Sequence, residues 1–222
     1  MMCTLSFIKN YITNNLLWVE GKSLLVIIVG LGLLGYFIVS LFLYAALFLF
    51  LFCFYFFRNP KRTCKELLTD SSLLVCPADG RVVAIEQIDD SVYSQKIALF
   101  LSPLDVHVTR APVTGKIIDV VYHEGEFAMA FLPKSSDLNE RNDIVIQMHN
   151  GTLFKVRQIA GTIARVIVCW VKKDDQVIAG SCYGMIKFGS RVELFVPRSV
   201  TITIKVGQKV YGGQTVLGKV QS

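Results

Sequence analysis

The sequence predicts a mainly β protein of the α+β class, preceded by a hydrophobic helical segment that anchors it in a membrane. Two observations support this prediction. Residues 24–57 contain no charged residue and are rich in Leu, Phe, Val and Ile, whereas short β-like runs separated by turn residues fill most of the remaining chain. We therefore expect a compact β-barrel or β-sandwich of short strands, with one or two helices.

The apolar run is long enough to enter a bilayer. It spans 34 residues, from 24 to 57, and about 20 apolar residues suffice to cross a membrane. It accommodates either one strongly tilted helix or a hairpin of two short helices, broken near Gly30, Gly32 and Gly35. No small-residue cleavage site follows it, which argues against a removed signal peptide.

Positive charge lies on both flanks of the apolar run. Lys9 and Lys22 precede it. A denser basic group follows it, consisting of Arg58, Lys61, Arg62 and Lys65. Because cytoplasmic flanks carry the excess of Lys and Arg, we expect the side that follows the run to be cytoplasmic. We divide the chain into an anchor region, 1–62, and a β domain, 63–222.

Composition argues against two classes of function. The net charge is +6, but the basic residues are spread along the chain without an aromatic-basic motif, so no nucleic acid partner is expected. The six cysteines show neither a CxxC pair nor a histidine-linked spacing. We therefore expect neither a bound metal nor a disulfide framework.

Alternation of apolar residues and turn signals predicts the strands of the β domain. They are 73–76, 81–88, 97–101, 106–109, 116–122, 144–149, 152–158, 192–196, 201–205 and 216–220. Asn150-Gly151 is the strongest hairpin signal. Between Ile163 and Trp170 the apolar residues follow i, i+3, i+4, i+7 spacing, which predicts a short helix.

Two pairs of segments resemble each other. The segment 77–83 is similar to 112–118, and 177–180 with Gly184 is similar to 210–213 with Gly218. This repetition predicts a β domain whose two halves are related. Lipoyl and biotinyl carrier domains share such glycine-punctuated short strands.

Gly189-Ser190 is a candidate reactive bond. A glycine before a serine leaves its carbonyl sterically open to the serine hydroxyl. His107 lies in an apolar β-like run, on whose polar face Asp105 and Thr109 would also lie. Asp79 lies in a Pro-Ala-Asp-Gly turn. These three could form a nucleophile, base and orienting carboxylate.

Other interpretations of these residues remain open at this point. His107 could be an ordinary histidine on a half-exposed strand, and Asp79 an ordinary turn residue. His123 is a reserve candidate for the base. Arg110 and Arg165 could bind phosphate, because a guanidinium fork suits it, or could be surface charges.

These segments, taken in order, resemble phosphatidylserine decarboxylase in its short bacterial form. The similar segments are Phe57-Arg58-Asn59-Pro60, Pro77-Ala78-Asp79-Gly80, 105–112, Asn139-Glu140-Arg141-Asn142, 158–165 and Phe188-Gly189-Ser190-Arg191. Together they cover nearly all of the β domain. Their order and spacing, rather than any single segment, make the resemblance specific.

The resemblance implies a self-maturing carboxy-lyase. Ser190 would attack the Gly189 carbonyl and end as an N-terminal pyruvoyl group, leaving chains 1–189 and 190–222. His107 would act as the base and Asp79 would orient it. The pyruvoyl group would form a Schiff base with the serine headgroup, so neither PLP nor a metal is expected, and the product is phosphatidylethanolamine.

The resemblance also implies partners and location. The substrate is phosphatidylserine in the bilayer, the two fragments stay together as a heterodimer, and a higher oligomer is possible. We expect the bacterial inner membrane, with the catalytic domain on the cytoplasmic side. One position departs from the family: longer members carry a second histidine where this chain has Arg110.

Two other functions compete with this one. A membrane-anchored serine hydrolase would use Asp79, His107 and an intact Ser190, but the chain lacks the G-x-S-x-G elbow of many such enzymes. A lipoyl- or biotinyl-like binding module would share the β texture, but no lysine lies at a hairpin tip in the setting of the modified lysine.

Overall fold

A computed structural model describes residues 14–37, 40–125, 139–161, 166–187 and 190–221. The chain forms two compact units, Met1–Lys61 and Arg62–Ser222. The first unit is helical and the second is built from β-strands.

The first unit contains a helical hairpin. Its helices are α1 (Leu17–Glu20), α2 (Lys22–Phe37) and α3 (Ser40–Phe56). A Cβ added to Gly35 would lie 2.2 Å from the Leu43 nitrogen, and one added to Gly32 would lie 3.8 Å from the Ala46 Cβ. α2 and α3 are therefore antiparallel, and the glycines allow their close approach. Two antiparallel helices agree with the hairpin interpretation, but α2 runs through all three glycines to Phe37, so the predicted break near them is wrong.

The two ends of the hairpin are hydrogen-bonded to each other. The Leu16 N–H donates to the Phe57 carbonyl at 2.8 Å, and Asn15 Nδ2 donates to the Phe54 carbonyl at 2.5 Å. Within the described ranges, no helix reaches the length and apolarity that a membrane crossing requires.

The second unit is mainly β, as predicted. After a 3-10 helix at Lys65–Leu68, its strands are β1 (Leu73–Val75), β2 (Gly80–Gln87), β3 (Gln95–Leu101), β4 (Val108–Arg110), β5 (Gly115–His123), β6 (Arg141–Gln147), β7 (Leu153–Ala160), β8 (Val166–Cys169), β9 (Gln176–Val177), β10 (Cys182–Lys187), β11 (Ser190–Val196), β12 (Val200–Ile202), β13 (Lys209–Val210) and β14 (Val216–Val220). In the described part of this unit, the 3-10 helix is the only helical element.

The helix predicted between Ile163 and Trp170 is wrong for its described residues. Val166–Cys169 is strand β8, which pairs antiparallel with β10. Three successive β-branched residues, 166–168, favour an extended backbone over a helix. Residues 162–165 of that prediction lie outside the described residues.

The strands form three sheets. The large sheet has the order β13-β2-β3-β11-β7-β6-β5-β9, and the two small sheets have the orders β1-β14-β12 and β4-β10-β8. One core cluster joins side chains from all three sheets, including Leu74, Leu99, Ile144, Tyr183 and Leu217. The large sheet therefore packs with the two small sheets around a single interior, consistent with the predicted barrel-like or sandwich-like domain.

The second unit contains two halves with the same strand plan. We call β1–β3 with β11–β14 the first half, and β4–β10 the second half. In each half a two-residue strand pairs with the start of the long strand, β13 with β2 and β9 with β5. The long strands shift register at equivalent places, between Val82 and Ala84 and between Ile117 and Asp119. The relation between 77–83 and 112–118 is thus confirmed.

The halves differ in how their central strands are connected. In the second half, the predicted Asn150-Gly151 hairpin joins β6 directly to β7, with Gly151 at a φ of 85°. In the first half, the whole second half is inserted between β3 and β11. The chain therefore passes from the first half to the second through residues 102–107 and is back in the first half at Ser190.

Candidate active site

Three neighbouring strands bring Asp79 and Ser190 to the same end of the large sheet, where one of the strands ends and the other two begin. β2 begins at Gly80, β3 ends at Leu101 and β11 begins at Ser190, in antiparallel order. Leu101 pairs directly with Ser190. Since adjacent strands lie about 4.8 Å apart and β3 lies between β2 and β11, the backbones at Asp79 and Ser190 are roughly 10 Å apart.

Ser190 is fully buried at the start of β11, between Leu101 of β3 and Ala160 of β7. Its Oγ has no hydrogen-bond partner among the described residues. A buried hydroxyl without a partner costs about 1–3 kcal/mol, and such exceptions in a native fold call for an explanation. The hydroxyl is thus sequestered from water. Gly189 lies outside the described residues.

His107 is also fully buried, so the half-exposed strand considered above is wrong. It ends the 102–107 crossing, immediately before β4. Its Nδ1 lies 3.0 Å from the Asp105 carbonyl oxygen. Because a carbonyl only accepts hydrogen bonds, this contact assigns the proton to Nδ1 and leaves Nε2 as the basic nitrogen.

The backbone at His107 is hydrogen-bonded to β10, the strand that precedes Ser190 in the chain. Its carbonyl accepts a hydrogen bond from the Ile186 N–H at 3.2 Å. Ile186 precedes Ser190 by four residues, so their backbones are at most about 14 Å apart. The 102–107 segment follows Leu101, whose backbone pairs with Ser190, so it leaves β3 at the end where β11 begins.

Asp79 is buried and its carboxylate is held from two directions. Arg62 forms a two-pronged ion pair with it, in which Nη2 lies 2.8 Å from Oδ2 and Nη1 contacts Oδ1. The Gly212 N–H donates to Oδ1 at 2.8 Å. Arg62 also donates to the Gly212 carbonyl at 3.0 Å, so the three residues form a closed arrangement.

Asp105 supports the loop that carries His107. Its Oδ2 accepts a hydrogen bond from the Ser102 N–H at 2.9 Å, and its Oδ1 lies 2.6 Å from Nζ of Lys209. Burial alone would raise the pKa of Asp105, but the hydrogen bonds from Lys209 and Ser102 outweigh it and lower that pKa. The bond to Asp105 raises the pKa of Lys209. Both groups are therefore charged at neutral pH.

Arg110 is buried, so its interpretation as a surface charge is wrong. One of its Nη atoms donates to the Gly180 carbonyl at 2.9 Å. Burial lowers the pKa of its guanidinium, and the nearby positive charge of Arg62 acts in the same direction, whereas Asp79 opposes it. Arg165 lies outside the described residues. His123 ends β5 and is partly exposed, rather than lying in a loop.

A row of buried, hydrogen-bonded polar side chains connects β4, β6 and β7. Gln158 Nε2 donates to Thr109 Oγ1 at 3.0 Å, and Asn142 Nδ2 donates to Gln158 Oε1 at 3.2 Å. All three side chains are buried. A Cβ added to Gly184 would lie 3.0 Å from Gln158 Nε2, so the missing side chain there makes room for this row.

Sequence reasoning missed two residues of this site. Arg62 was assigned to a basic membrane flank, yet its guanidinium pairs with Asp79. Lys209 was not singled out, although it bonds Asp105 across 104 positions. No local pattern indicates either contact. The recurrence of 77–83 and 112–118 could have drawn attention to Asp79, because its counterpart is the uncharged Thr114.

Known proteins are similar to this chain over most of its length. The family model described as phosphatidylserine decarboxylase matches residues 49–218. A phosphatidylserine decarboxylase proenzyme of Syntrophus aciditrophicus is 44% identical over 172 residues, which is 76% of this chain and 79% of the relative. The proenzyme of Carboxydothermus hydrogenoformans is 45% identical over 178 residues, which is 78% of this chain and 82% of the relative. That of Nitratidesulfovibrio vulgaris is 40% identical over 194 residues, which is 85% of this chain and 88% of the relative.

Proposed function

Because this chain belongs to the phosphatidylserine decarboxylase family, we propose that it converts phosphatidylserine to phosphatidylethanolamine with a pyruvoyl group made from its own Ser190. The observation that carries the proposal is the buried Ser190 hydroxyl without a described hydrogen-bond partner. Its backbone pairs with Leu101, and the 102–107 segment leads from Leu101 to the buried His107. The rest of the site supplies a base, an orienting carboxylate and positive charge.

The position of Ser190 suits a pyruvoyl group. It lies at the beginning of a strand, fully buried between Leu101 and Ala160, so water has no direct access. When present, such a group supplies a ketone that takes up the substrate amine and accepts the electron pair released with CO2. Leu101 and Ala160 would shield it from water on the two strands that flank β11.

Ser190 makes that group by breaking the chain before it. Its Oγ bonds to the Gly189 carbonyl carbon, and the residue 190 nitrogen leaves that carbon as an amine, which converts the amide to an ester. Loss of the residue 190 α-proton then expels Gly189 as a carboxylate and leaves dehydroalanine. Addition of water and release of ammonia complete the conversion.

His107 is the base for the first step. With its Nδ1 proton directed at the Asp105 carbonyl, its Nε2 is the basic nitrogen that takes the Ser190 hydroxyl proton and returns it to the departing nitrogen. Asp79 is proposed to orient and electrostatically support the imidazolium that forms. Its carboxylate is held in place for this by Arg62 and Gly212.

The charge of the site suits an anionic headgroup. Arg62, Arg110 and Lys209 carry three positive charges, and Asp79 and Asp105 carry two negative ones. The net positive charge favours the phosphate and carboxylate of phosphatidylserine. We propose Arg110 as a substrate-binding residue, together with Arg165, which has no described contacts.

After cleavage the fragments 1–189 and 190–222 stay together as a heterodimer. The smaller fragment carries β11–β14, and each of β11, β13 and β14 pairs with a strand of the larger fragment. β11 lies between β3 and β7 in the middle of the large sheet. Separation would break all these ladders and expose the shared core.

We propose that the helical hairpin anchors the enzyme in the inner membrane with the catalytic domain on the cytoplasmic side. Its helices expose large apolar side chains outward, including Val26, Leu33, Phe37, Leu47 and Phe48. The hydrogen bonds between the two ends of the hairpin support an entry and an exit on the same side of the bilayer. Protease treatment of inverted and right-side-out vesicles tests this: access to an N-terminal tag only in inverted vesicles is expected, and access in right-side-out vesicles contradicts it.

Intact mass of the purified protein tests the central proposal. We expect two polypeptides, the smaller one beginning with pyruvoyl in place of Ser190, and decarboxylation of phosphatidylserine vesicles. Ser190→Ala should stay a single chain without activity. An active wild-type protein with an unbroken chain and an intact Ser190 would contradict the proposal and favour a serine hydrolase.

A further inference from the structure

The loop that carries His107 is held by a turn between Ser102 and Asp105 and by a lysine from a distant part of the chain. Ser102 and Asp105 bond each other twice: the Asp105 N–H donates to the Ser102 carbonyl, and Asp105 Oδ2 accepts from the Ser102 N–H, both at 2.9 Å. This closes the 102–105 segment into a turn. The turn is buried at Asp105, which is 7% exposed.

Lys209 fastens this turn from another part of the chain. Its Nζ lies 2.6 Å from Asp105 Oδ1. Lys209 lies on β13, beyond the cleavage bond, so the contact joins the two future fragments. Its partner strand β2 begins at Gly80, directly after Asp79, so the lysine reaches the loop from the strand pair that also presents Asp79.

Asp105 contacts both Lys209 and His107, through different atoms. Its carboxylate bonds Lys209 and its carbonyl oxygen lies 3.0 Å from His107 Nδ1. Asp105 therefore connects Lys209 to the imidazole of His107 through a single residue. In the second half, Gln176 of β9 stands where Lys209 stands in β13, and a tight hairpin replaces the loop.

We propose that Asp105 and Lys209 are positioning residues that set the location and tautomer of His107, and thereby the rate of self-cleavage at Gly189-Ser190. This inference rests on the proposed function of His107 as the base. Without the lysine, the Asp105 carboxylate loses its ion-pair partner, and the hydrogen bonds with Ser102 remain to hold the turn. A misplaced base costs rate steeply, because a shift of about 1 Å can lower a rate 100-fold.

The test is the cleavage rate of the pulse-labelled full-length chain made in the presence of lipid vesicles. Lys209→Met should cleave at least about ten-fold more slowly than wild type, and Lys209→Arg, which keeps the charge, should recover most of the rate. The matched control is Lys219→Met. Lys219 also lies beyond the cleavage bond and pairs with an aspartate of the larger fragment, Asp70, at 2.7 Å, but far along the chain from the His107 loop. The Lys219→Met chain should cleave at a rate within about two-fold of the wild-type rate, since exposed ion pairs contribute little.

A second readout separates positioning from general stability. In an uncleaved Ser190→Ala background, 15N NMR of the three histidines reports their tautomers, and His107→Gln assigns the signal. We expect His107 to carry its proton on Nδ1 in that background and to lose this preference when Lys209→Met is added. Cleavage at the control rate together with an unchanged tautomer in Lys209→Met overturns the inference. Normal cleavage of His107→Ala is a different result, which refutes the proposed base and not only its positioning.

Discussion

Asp79 and Thr114 occupy equivalent turns in the two halves of the β unit. Asp79 Oδ1 accepts a hydrogen bond from the Gly212 N–H at 2.8 Å, and Thr114 Oγ1 accepts one from the Ala179 N–H at 3.0 Å. Each donor precedes a glycine with positive φ, Gly213 and Gly180 respectively. The turn therefore needs only a side-chain oxygen. The negative charge, and the arginine paired with it, are present in the first half alone.

The halves differ again where their central strands end. In the second half, Met148 and Thr152 close a tight hairpin with an N–H to carbonyl bond of 2.9 Å. In the first half, the equivalent ends are Leu101 and Ser190, which pair but are not joined by a turn. Because the second half is inserted there, no hairpin turn joins these two ends, and the cleavage proposed before Ser190 would cut a connection between the halves rather than a hairpin.

The largest expected effect comes from exchanging the two turn residues. Asp79→Thr should keep the bond to Gly212 but lower the rate of self-cleavage at least about 100-fold, because the orienting carboxylate is lost. The unpaired Arg62 should cost about 1–3 kcal/mol of unfolding free energy. Pulse-labelling measures the first effect and urea unfolding of a Ser190→Ala chain measures the second.

Thr114→Asp is the reciprocal control for this exchange. Thr114 is partly exposed, so a carboxylate there keeps water contact while still accepting from Ala179. We expect a folded chain that cleaves at the wild-type rate. Wild-type cleavage of Asp79→Thr would show that the charge has no part in the chemistry and that the two turns are functionally alike.

The buried polar side chains of the second half should give the next effect. Where the second half has Gln158 paired with Asn142, the first half has Val196 paired with Gln95, and where it has Thr109 the first half has Leu74. Gln158→Leu leaves buried Thr109 and Asn142 without this partner, which should lower the unfolding free energy by about 1–3 kcal/mol.

Adding Thr109→Val to Gln158→Leu sharpens that comparison. Removing both partners of a buried hydrogen bond costs less than removing one, so the double variant should recover part of the lost unfolding free energy. Urea unfolding measures the two single variants and the double variant. If the double variant loses more unfolding free energy than the two single variants together, the polar side chains are required for more than their own hydrogen bonds.

The equivalent glycines should respond unequally to alanine. Gly180 and Gly213 have φ values of 83° and 71°, so each substitution carries a backbone cost of about 1–2 kcal/mol. A Cβ on Gly213 would also lie 2.8 Å from Cδ of Arg110, whereas one on Gly180 meets nothing closer than 3.6 Å. Gly213→Ala should therefore also raise KM for phosphatidylserine. Equal KM values for the two variants would remove Arg110 from substrate binding.

The smallest effect should follow from making a loop of the first half resemble the second. Gly207 has a φ of 87°, and its counterpart Asp174 has a φ of 78°. Nothing lies within 4 Å of a Cβ added to Gly207. Since aspartate tolerates this conformation better than most residues, Gly207→Asp should cost no more than about 1 kcal/mol of unfolding free energy. A larger loss in urea unfolding would show that the loops are not equivalent.

Local patterns in the sequence predicted much of the fold. Alternation and turn residues placed most of the long strands, because each strand buries one side and a period of two records that burial directly. The Asn150-Gly151 hairpin followed from the positive φ that its turn requires. The same method failed at Val166–Cys169, where four residues are too few to distinguish a strand from a helix.

Strands β9, β10 and β13 were also missed, because each lacks a clear local strand pattern. β9 and β13 have two residues each and carry no periodicity. β10 contains Gly184, whose added Cβ would lie 2.4 Å from the Val168 carbonyl oxygen. The glycine lowers the strand propensity of the segment, but the close approach of β8 requires it.

The charge-free segment, the β character, the duplicated turns and the Gly189-Ser190 pair can be recognised in the amino-acid sequence, because each depends on neighbours within a few residues. The long-range contacts come from the folded chain alone: Arg62 with Asp79, Lys209 with Asp105, and Ser190 with Leu101. These contacts depend on sheet register and on the insertion of one half into the other, and no local periodicity encodes either.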